Sequence, residues 1–176
     1  ECKIVDEDDP YSTLDKYEHG EIALRGPAVA KGYWNMERET RESFFPEGWF
    51  LTGDIGYLDK DNRLFITDRK KDMIDMSGWK IYPTEVEETL IKYPEVEDIA
   101  VFSIPDCHRG ELPVAAVIWK NDEDKEGLIK FAKNNIAGYK VPREIYSTNE
   151  LPRVNGWKLL RKELIKMFAP EKIEKK

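Results

Sequence analysis

The 176-residue sequence predicts an α+β chain in two parts: a β-rich stretch over residues 1–70, then residues 71–176 as a compact domain whose helices cover a sheet of two to three strands. Three observations carry this. As far as Arg69, short apolar segments are broken by glycine and proline, the punctuation of strands and turns. After Lys71, segments with apolar residues at helical spacing alternate with apolar runs of strand length. Neither part contains a repeat or a low-complexity tract.

In the first part, Ile22, Leu24 and then Val29 sit in apolar segments separated by Gly20, Gly26-Pro27 and Gly32. Residues 59–63 (DKDNR) form a polar turn between the strand-like segments 55–58 and 64–67, the pattern of a hairpin. Strands of this kind need partners, since an uncovered edge is a liability. In the second part, Pro83-Thr84-Glu85 opens a helix with Val86, Leu90 and Tyr93 at helical spacing. Acidic residues in its first turn and Lys92 near its end complement the helix dipole. Strands follow over residues 96–104 and 112–120, joined by the turn-like PDCHRGE. A helix over about residues 124–136 stops near Gly138. The extended segment 143–147 and the loop LPRVNG then precede a last helix with Leu160, Leu164, Met167 and Phe168 on one face.

Composition excludes several classes. Hydrophobic residues make up 40% and charged residues 36%, with a net charge of −7, the balance of a globular domain and not of a disordered or membrane-spanning chain. The apolar runs are too short to cross a bilayer as helices, and the start shows no export signal. A first residue other than Met suggests a piece of a longer protein. Two cysteines, Cys2 and Cys107, fit a reducing, cytoplasmic setting better than a disulfide framework. The acidic balance argues against a nucleic-acid partner, and the basic tail Lys175-Lys176 reads as a solvated end. His19 and His108 have no companion ligands nearby, so no metal site is expected, and Cys107 beside His108 reads as a surface turn.

Four short segments could carry chemistry. Gly48-Trp49-Phe50-Leu51-Thr52-Gly53-Asp54 could simply close a strand. Alternatively, the two carboxylate oxygens of Asp54 could accept from the two vicinal hydroxyls of a ribose, with Gly53 allowing close approach. The run Asp68-Arg69-Lys70-Lys71-Asp72 reads either as a solvated turn or as a ribose or phosphate clamp at Arg69 with a hinge after it. Ser77-Gly78-Trp79-Lys80-Ile81-Tyr82-Pro83 is a glycine turn feeding a short strand and a helix, and Gly78 could let a narrow ligand pass. The fourth, Leu151-Pro152-Arg153-Val154-Asn155-Gly156-Trp157-Lys158, holds a lysine that is either an ordinary surface residue or a mobile ammonium. Such an ammonium can neutralise charge on an attacking carboxylate and on pentavalent phosphorus.

Taken together and in this order, with Gly20-Glu21-Ile22 and the RGPAVAKGYWN segment before them, these motifs resemble the adenylate-forming superfamily of acyl-CoA synthetases, luciferases and adenylation domains. The resemblance covers almost the whole chain and implies its C-terminal part: the β-rich edge of a large N-terminal domain over residues 1–70, and a mobile lid domain over residues 71–176. It implies a ligase that makes an acyl-adenylate from a carboxylate and ATP, then transfers the acyl group to a thiol, commonly that of CoA. By resemblance, Asp54 would hold both ribose hydroxyls, Ile66 would pack beside the nucleoside, Arg69 would bind a ribose hydroxyl, and Lys80 would approach the nucleotide. Lys71 would be the hinge, Ser77 and Gly78 would line the pantetheine passage, Lys133 would meet a CoA phosphate, and Lys158 would be the adenylation lysine.

Two departures stand out. Trp157 occupies the place of the family's usual glycine before the lysine, and Asp68-Arg69 replaces its Gly-Arg dipeptide. The family's Ser/Thr/Gly-rich phosphate loop and its Tyr-x-Thr-Glu segment precede these motifs, and neither occurs ahead of them in this sequence; Tyr82-Pro83-Thr84-Glu85 spells the second pattern but lies after Asp54 and Arg69, where it opens a helix. ATP, Mg2+ and CoA are therefore expected as cofactors and substrates of a full-length enzyme, with no metal ligands in this piece, which is expected to be inactive alone. The expected partners are a fatty or related carboxylic acid, ATP, CoA and the rest of the large domain. Two other readings remain: an adenylation domain that loads a carrier protein, and a non-catalytic interaction module that kept the fold.

Overall fold

A computed structural model describes residues 1–155 and 158–169. The chain divides into two compact units, Glu1–Lys71 and Asp72–Lys176.

Unit 1 is built on a five-stranded antiparallel sheet. Strands β1 (Cys2–Val5) and β2 (Gly20–Leu24) pair, β2 pairs with the long β4 (Trp49–Leu58), and β4 is flanked by β3 (Phe44–Phe45) at one end and β5 (Leu64–Arg69) at the other. Ile4, Val5, Ile22, Ala23 and Ile55 form the buried core. The expected hairpin is present, its turn tied by the Asp59 carboxylate, which accepts from the Asp61 and Arg63 amides. Val29 lies in a turn region and not in a strand, and a short helix α1 (Glu37–Ser43) follows it. No residue of α1 is buried, so no apolar stripe marks it in the sequence; its surface carries the ion pairs Arg38–Glu42 and Arg41–Glu37.

Unit 2 is α+β, and its main sheet has five strands, more than the two or three expected. The extra strands are β6 (Ile74–Met76), β7 (Trp79–Ile81) and β10 (Ile145–Ser147), each three residues long and too short to show a period. They join the hairpin of β8 (Val96–Asp106) and β9 (Gly110–Trp119), with β10 running parallel to β9. Alternation along β8 and β9 explains their nearly unbroken apolar sequence. Ile99, Val101, Ala115 and Val117 face a core shared with Val86, Leu90, Leu128 and Ala132, on helices α2 (Pro83–Leu90) and α3 (Lys125–Asn135). Ala100, Phe102, Ile104, Val114 and Ala116 face a second core with Leu164 of α4 (Arg161–Phe168). A sheet covered on both faces has no polar side to display.

Helix ends differ slightly from the expected ones. α2 starts with Pro83 at its first position and stops at Leu90, so Lys92 and Tyr93 lie beyond it; Pro94 disfavours helical backbone at the residue before it. α3 is capped by Asp124, whose carboxylate accepts from the Gly127 amide at 2.9 Å, and it ends at Asn135, ahead of Gly138. A final pair of short strands, β11 (Arg153–Val154) and β12 (Lys158–Leu159), precedes α4.

Candidate functional site

Within unit 1 the structure brings three of the expected residues together. Antiparallel pairing sets Asp54 of β4 opposite Arg69 of β5, and Arg69 Nε lies 3.1 Å from Asp54 Oδ1. Ile66 is opposite Gly56, two residues along β4 from Asp54, so the register puts all three on one face. The Asp54 and Arg69 side chains are 25% and 52% exposed, and Ile66 is 66% exposed. The site is an accessible carboxylate–guanidinium pair beside an apolar side chain, able to accept from hydroxyls, donate to oxygen and cover one side of a flat ring.

The backbone under Asp54 departs from a regular strand. Between the pairs Glu21–Ile55 and Ala23–Leu51, three residues of β4 (Thr52, Gly53, Asp54) face one of β2. Gly53 takes φ of 73°, in the left-handed region, which glycine adopts without strain. Three bonds fix this bulge: the Thr52 hydroxyl donates to the Ile22 carbonyl, the Asp54 amide donates to Thr52 Oγ1, and the Gly53 amide donates to Glu21 Oε1. Bulges re-aim the side chains they carry. Glu21 escapes sequence reading because a glutamate in a strand looks like a solvent-facing residue. It is 4% exposed, and its flanks Ile22 and Ala23 are buried too. The hint in the sequence is the apolar run Ile22-Ala23-Leu24 that directly follows Glu21.

Arg69 ends β5, with its amide donating to the buried Asp68 carboxylate, and a single helical turn over Lys70–Asp72 comes next. Lys71 is the last residue of unit 1.

In unit 2, Ser77 and Gly78 form the tight turn between β6 and β7, with φ of 55° and 85°. The turn is held by the Gly78 amide donating to Asp75 Oδ1 at 2.7 Å and the Ser77 amide donating to the Arg109 carbonyl at 2.9 Å. Lys80 sits on β7 opposite Asp75, and Trp79 stacks on Tyr139 with ring centroids 4.7 Å apart. Lys133 is exposed in the last turn of α3. Lys158 is exposed on β12, opposite Val154.

Gly156 and Trp157, on which the departure from the family's glycine turns, lie outside the described residues, as do Lys175 and Lys176. The helix beyond Lys158 is firmly anchored at its first residue. Arg161 donates from Nε to the Val101 carbonyl and pairs with Glu87 at 2.9 Å and Asp72 at 3.3 Å. Glu87 in turn accepts from the Val101 amide. Sequence reasoning passes over Arg161, because an arginine opening a helix is unremarkable until its partners are known. Among the described residues, no group of three or more His, Cys, Asp or Glu side chains converges as metal ligands would.

Residues 85–156 match the AMP-binding enzyme C-terminal domain family. The chain is similar to the C-terminal portion of enzymes of the adenylate-forming, AMP-binding superfamily. Within that superfamily its similarity is to acyl-CoA ligases. It is 44% identical over 151 residues to a long-chain-fatty-acid–CoA ligase of Bacillus subtilis, covering 85% of this chain and 27% of that protein. It is 42% identical over 154 residues to a 2-succinylbenzoate–CoA ligase of Geobacillus kaustophilus, covering 86% of this chain and 31% of that protein. Among solved structures it matches the o-succinylbenzoate coenzyme A synthetase of Bacillus subtilis in complex with ATP and magnesium ion, with a TM-score of 0.77 and 38% identity, over 93% of this chain and 34% of the other. The chain thus spans about three-tenths of the length of these relatives.

Proposed function

We propose that this chain is the C-terminal part of an AMP-forming acyl-CoA ligase, with unit 1 as the margin of the large nucleotide-holding domain and unit 2 as the lid. The observation that carries the reading is the register-matched pair of Asp54 and Arg69 with exposed Ile66 beside it. It offers acceptors, donors and an apolar surface in the arrangement a nucleoside needs. The exposed Leu64 and Phe65 on β5, which pairs only with β4 among the described strands, fit a sheet margin that continues into a larger body.

In this reading Asp54 accepts from the two ribose hydroxyls, Arg69 donates to a ribose oxygen, and Ile66 lies against the base. Lys158 brings its ammonium to the substrate carboxylate and the α-phosphate. The carboxylate oxygen bonds to the α-phosphorus as the bond to the departing pyrophosphate breaks, and the lysine offsets the charge that builds on the phosphoryl oxygens. Lys80 approaches the same nucleotide. After rotation at Lys71, the Ser77-Gly78 turn lines the passage for the pantetheine arm, and Lys133 meets a CoA phosphate. The thiol then gives up its proton to solvent, its sulfur bonds to the acyl carbon, and AMP leaves with the bonding pair of the broken acyl–oxygen bond. Mg2+ bound with ATP would neutralise phosphate oxygens; the described residues gather no ligand set for it, so none is assigned to the metal. The acyl group is a fatty or related carboxylic acid. Cys2 and Cys107 are free thiols, in keeping with a reducing cytoplasm.

The test is Lys158→Ala in the full-length polypeptide. Pyrophosphate release should fall by about 10²–10³-fold, while CoA transfer from a supplied acyl-adenylate should change only a few-fold. Unaltered pyrophosphate release removes Lys158 from the role. A screen of carboxylic acids for AMP formation on the same polypeptide identifies the acyl group.

A further inference from the structure

We propose that Glu21 is a positioning residue for the nucleotide site, its one buried carboxylate holding both the Gly53 amide that shapes the bulge under Asp54 and the Lys70 ammonium that stands just before Lys71. The inference rests on the reading of Asp54 and Arg69 as nucleotide groups and of Lys71 as the pivot, and it adds a residue to which neither assigns a role.

The geometry carries it. Glu21 Oε1 accepts from the Gly53 amide at 3.0 Å, and Oε2 accepts from Lys70 Nζ at 2.7 Å. The same ammonium donates to the Glu7 carbonyl at 2.8 Å. A carboxylate this buried is costly unless both oxygens are satisfied, and here each has its own partner. The Gly53 amide has lost its ladder partner because three residues of β4 face one of β2 there. The side chain of Glu21 takes the place of that missing carbonyl. The bulge aims Asp54, so whatever holds the bulge holds Asp54.

The second oxygen extends the grip to the other strand. Lys70 directly follows Arg69, the partner of Asp54, and directly precedes Lys71. Glu21 therefore ties β4 at Gly53 to the end of β5 at Lys70, from the far side of the Asp54–Arg69 pair. A backbone rotation at Lys71 would otherwise pull first on Lys70 and then on Arg69. With Lys70 anchored on a buried carboxylate, the rotation is absorbed at Lys71 and the two nucleotide-facing side chains keep their spacing. A carboxylate is suited to this double task, because its two oxygens accept in one plane from an amide and an ammonium at once.

The experiment uses the full-length polypeptide and four variants: Glu21→Ala, Glu21→Gln, Lys70→Met and Asp54→Ala. AMP binding is measured by calorimetry well below each variant's thermal midpoint, and the two half-reactions are timed separately. Glu21→Ala should weaken AMP about tenfold, the equivalent of one hydrogen bond to a charged group. Glu21→Gln keeps an acceptor for the Gly53 amide and should hold AMP within about threefold of the parent, yet slow CoA transfer to the same degree as Lys70→Met. The double variant Glu21→Gln/Lys70→Met should be no slower than either single one, since both remove the same link. Parental AMP affinity in Glu21→Ala, with Asp54→Ala weakened, overturns the proposal and leaves the nucleotide site standing. Parental affinity in Asp54→Ala removes the site itself. Should Glu21→Ala fail to fold, the Gln and Met pair decides alone: additive losses overturn the coupling, and non-additive losses support it.

Discussion

Gly53 and Asp54 show how narrow the tolerance is at single positions. A Cβ added at Gly53 would meet nothing within 4 Å, so space does not exclude a larger residue. The backbone does, because φ of 73° is a conformation in which L side chains are strained. Gly53→Ala should therefore cost about 1–2 kcal/mol of unit 1 stability with no new clash, visible as a lowered thermal midpoint. It should also weaken nucleotide binding if the backbone relaxes by flattening the bulge. A variant with parental stability would mean that the loop holds a different conformation in solution. The neighbouring Asp54–Arg69 pair has no comparable structural burden, being half open to solvent. Its exposure is what a binding pair needs and what a purely stabilising pair, worth little at a surface, would not need.

Helix mounting sets the next scale. Arg161 fastens the start of α4 to the Val101 carbonyl, Glu87 and Asp72, with the Arg161, Glu87 and Asp72 side chains 17%, 18% and 26% exposed. Arg161→Met keeps much of the stem but takes the guanidinium away from two partly buried carboxylates, leaving Glu87 its bond from the Val101 amide. We expect a loss of about 2–3 kcal/mol in unit 2 stability, measured by denaturant unfolding. α3 hangs on Asp124, which caps its first turn and accepts from the Tyr93 hydroxyl. The Tyr93 hydroxyl first, and the Gly127 amide second, hold its carboxyl below the ordinary value of 3.8. A lowered value in the folded state means that the stabilisation is complete above the unfolded value and is lost as pH falls through the folded one. Asp124→Asn should cap the helix but lack this dependence, so its deficit against the parent should be largest near neutrality and shrink below pH 3.8. A deficit that stays constant down to the acid limit would show that the charge is irrelevant to the cap.

These same elements show what a sequence can and cannot declare. β8 and β9 are legible because a run of Ile, Ala, Val and Phe bounded by turns has few alternatives, and α2 announces itself through Pro83 and its spaced Val86 and Leu90. β6, β7 and β10 are not legible, since three residues cannot display a period, and their pairing is decided by β9 and by one another. Of the candidate site, the individual side chains Asp54, Ile66 and Arg69 could be named from motif order, but their shared face depends on a register that two bulges set. Glu21 and Arg161 stay hidden for the same reason: their partners stand 49 and 74 residues away, at Lys70 and Glu87.

At the scale of the molecule, the two units close their own cores, Ile4, Val5, Ile22, Ala23 and Ile55 in one and the two-sided sheet in the other, and the chain passes between them at Lys71 and Asp72. Lys70 is paired to Glu21 inside unit 1 and Asp72 to Arg161 inside unit 2, so Lys71 is flanked by two residues that are each held by their own unit. On the proposed reading of unit 2 as a lid with two poses, the rotation between them would be taken up in the dihedrals of Lys71. Proline at this position fixes φ near −65° and restricts the residue before it. Neither core contains Lys71, so Lys71→Pro should leave the thermal midpoints of both units nearly unchanged. If the adenylate-forming pose is the one whose dihedrals proline tolerates, pyrophosphate release should continue while CoA transfer, which requires the second pose, falls by about 10²-fold or more, the scale set by a misplaced catalytic group. The measurement is single-turnover kinetics of the two half-reactions in the full-length polypeptide, with supplied acyl-adenylate for the second. Equal loss of both half-reactions, with stability retained, would move the pivot to another residue.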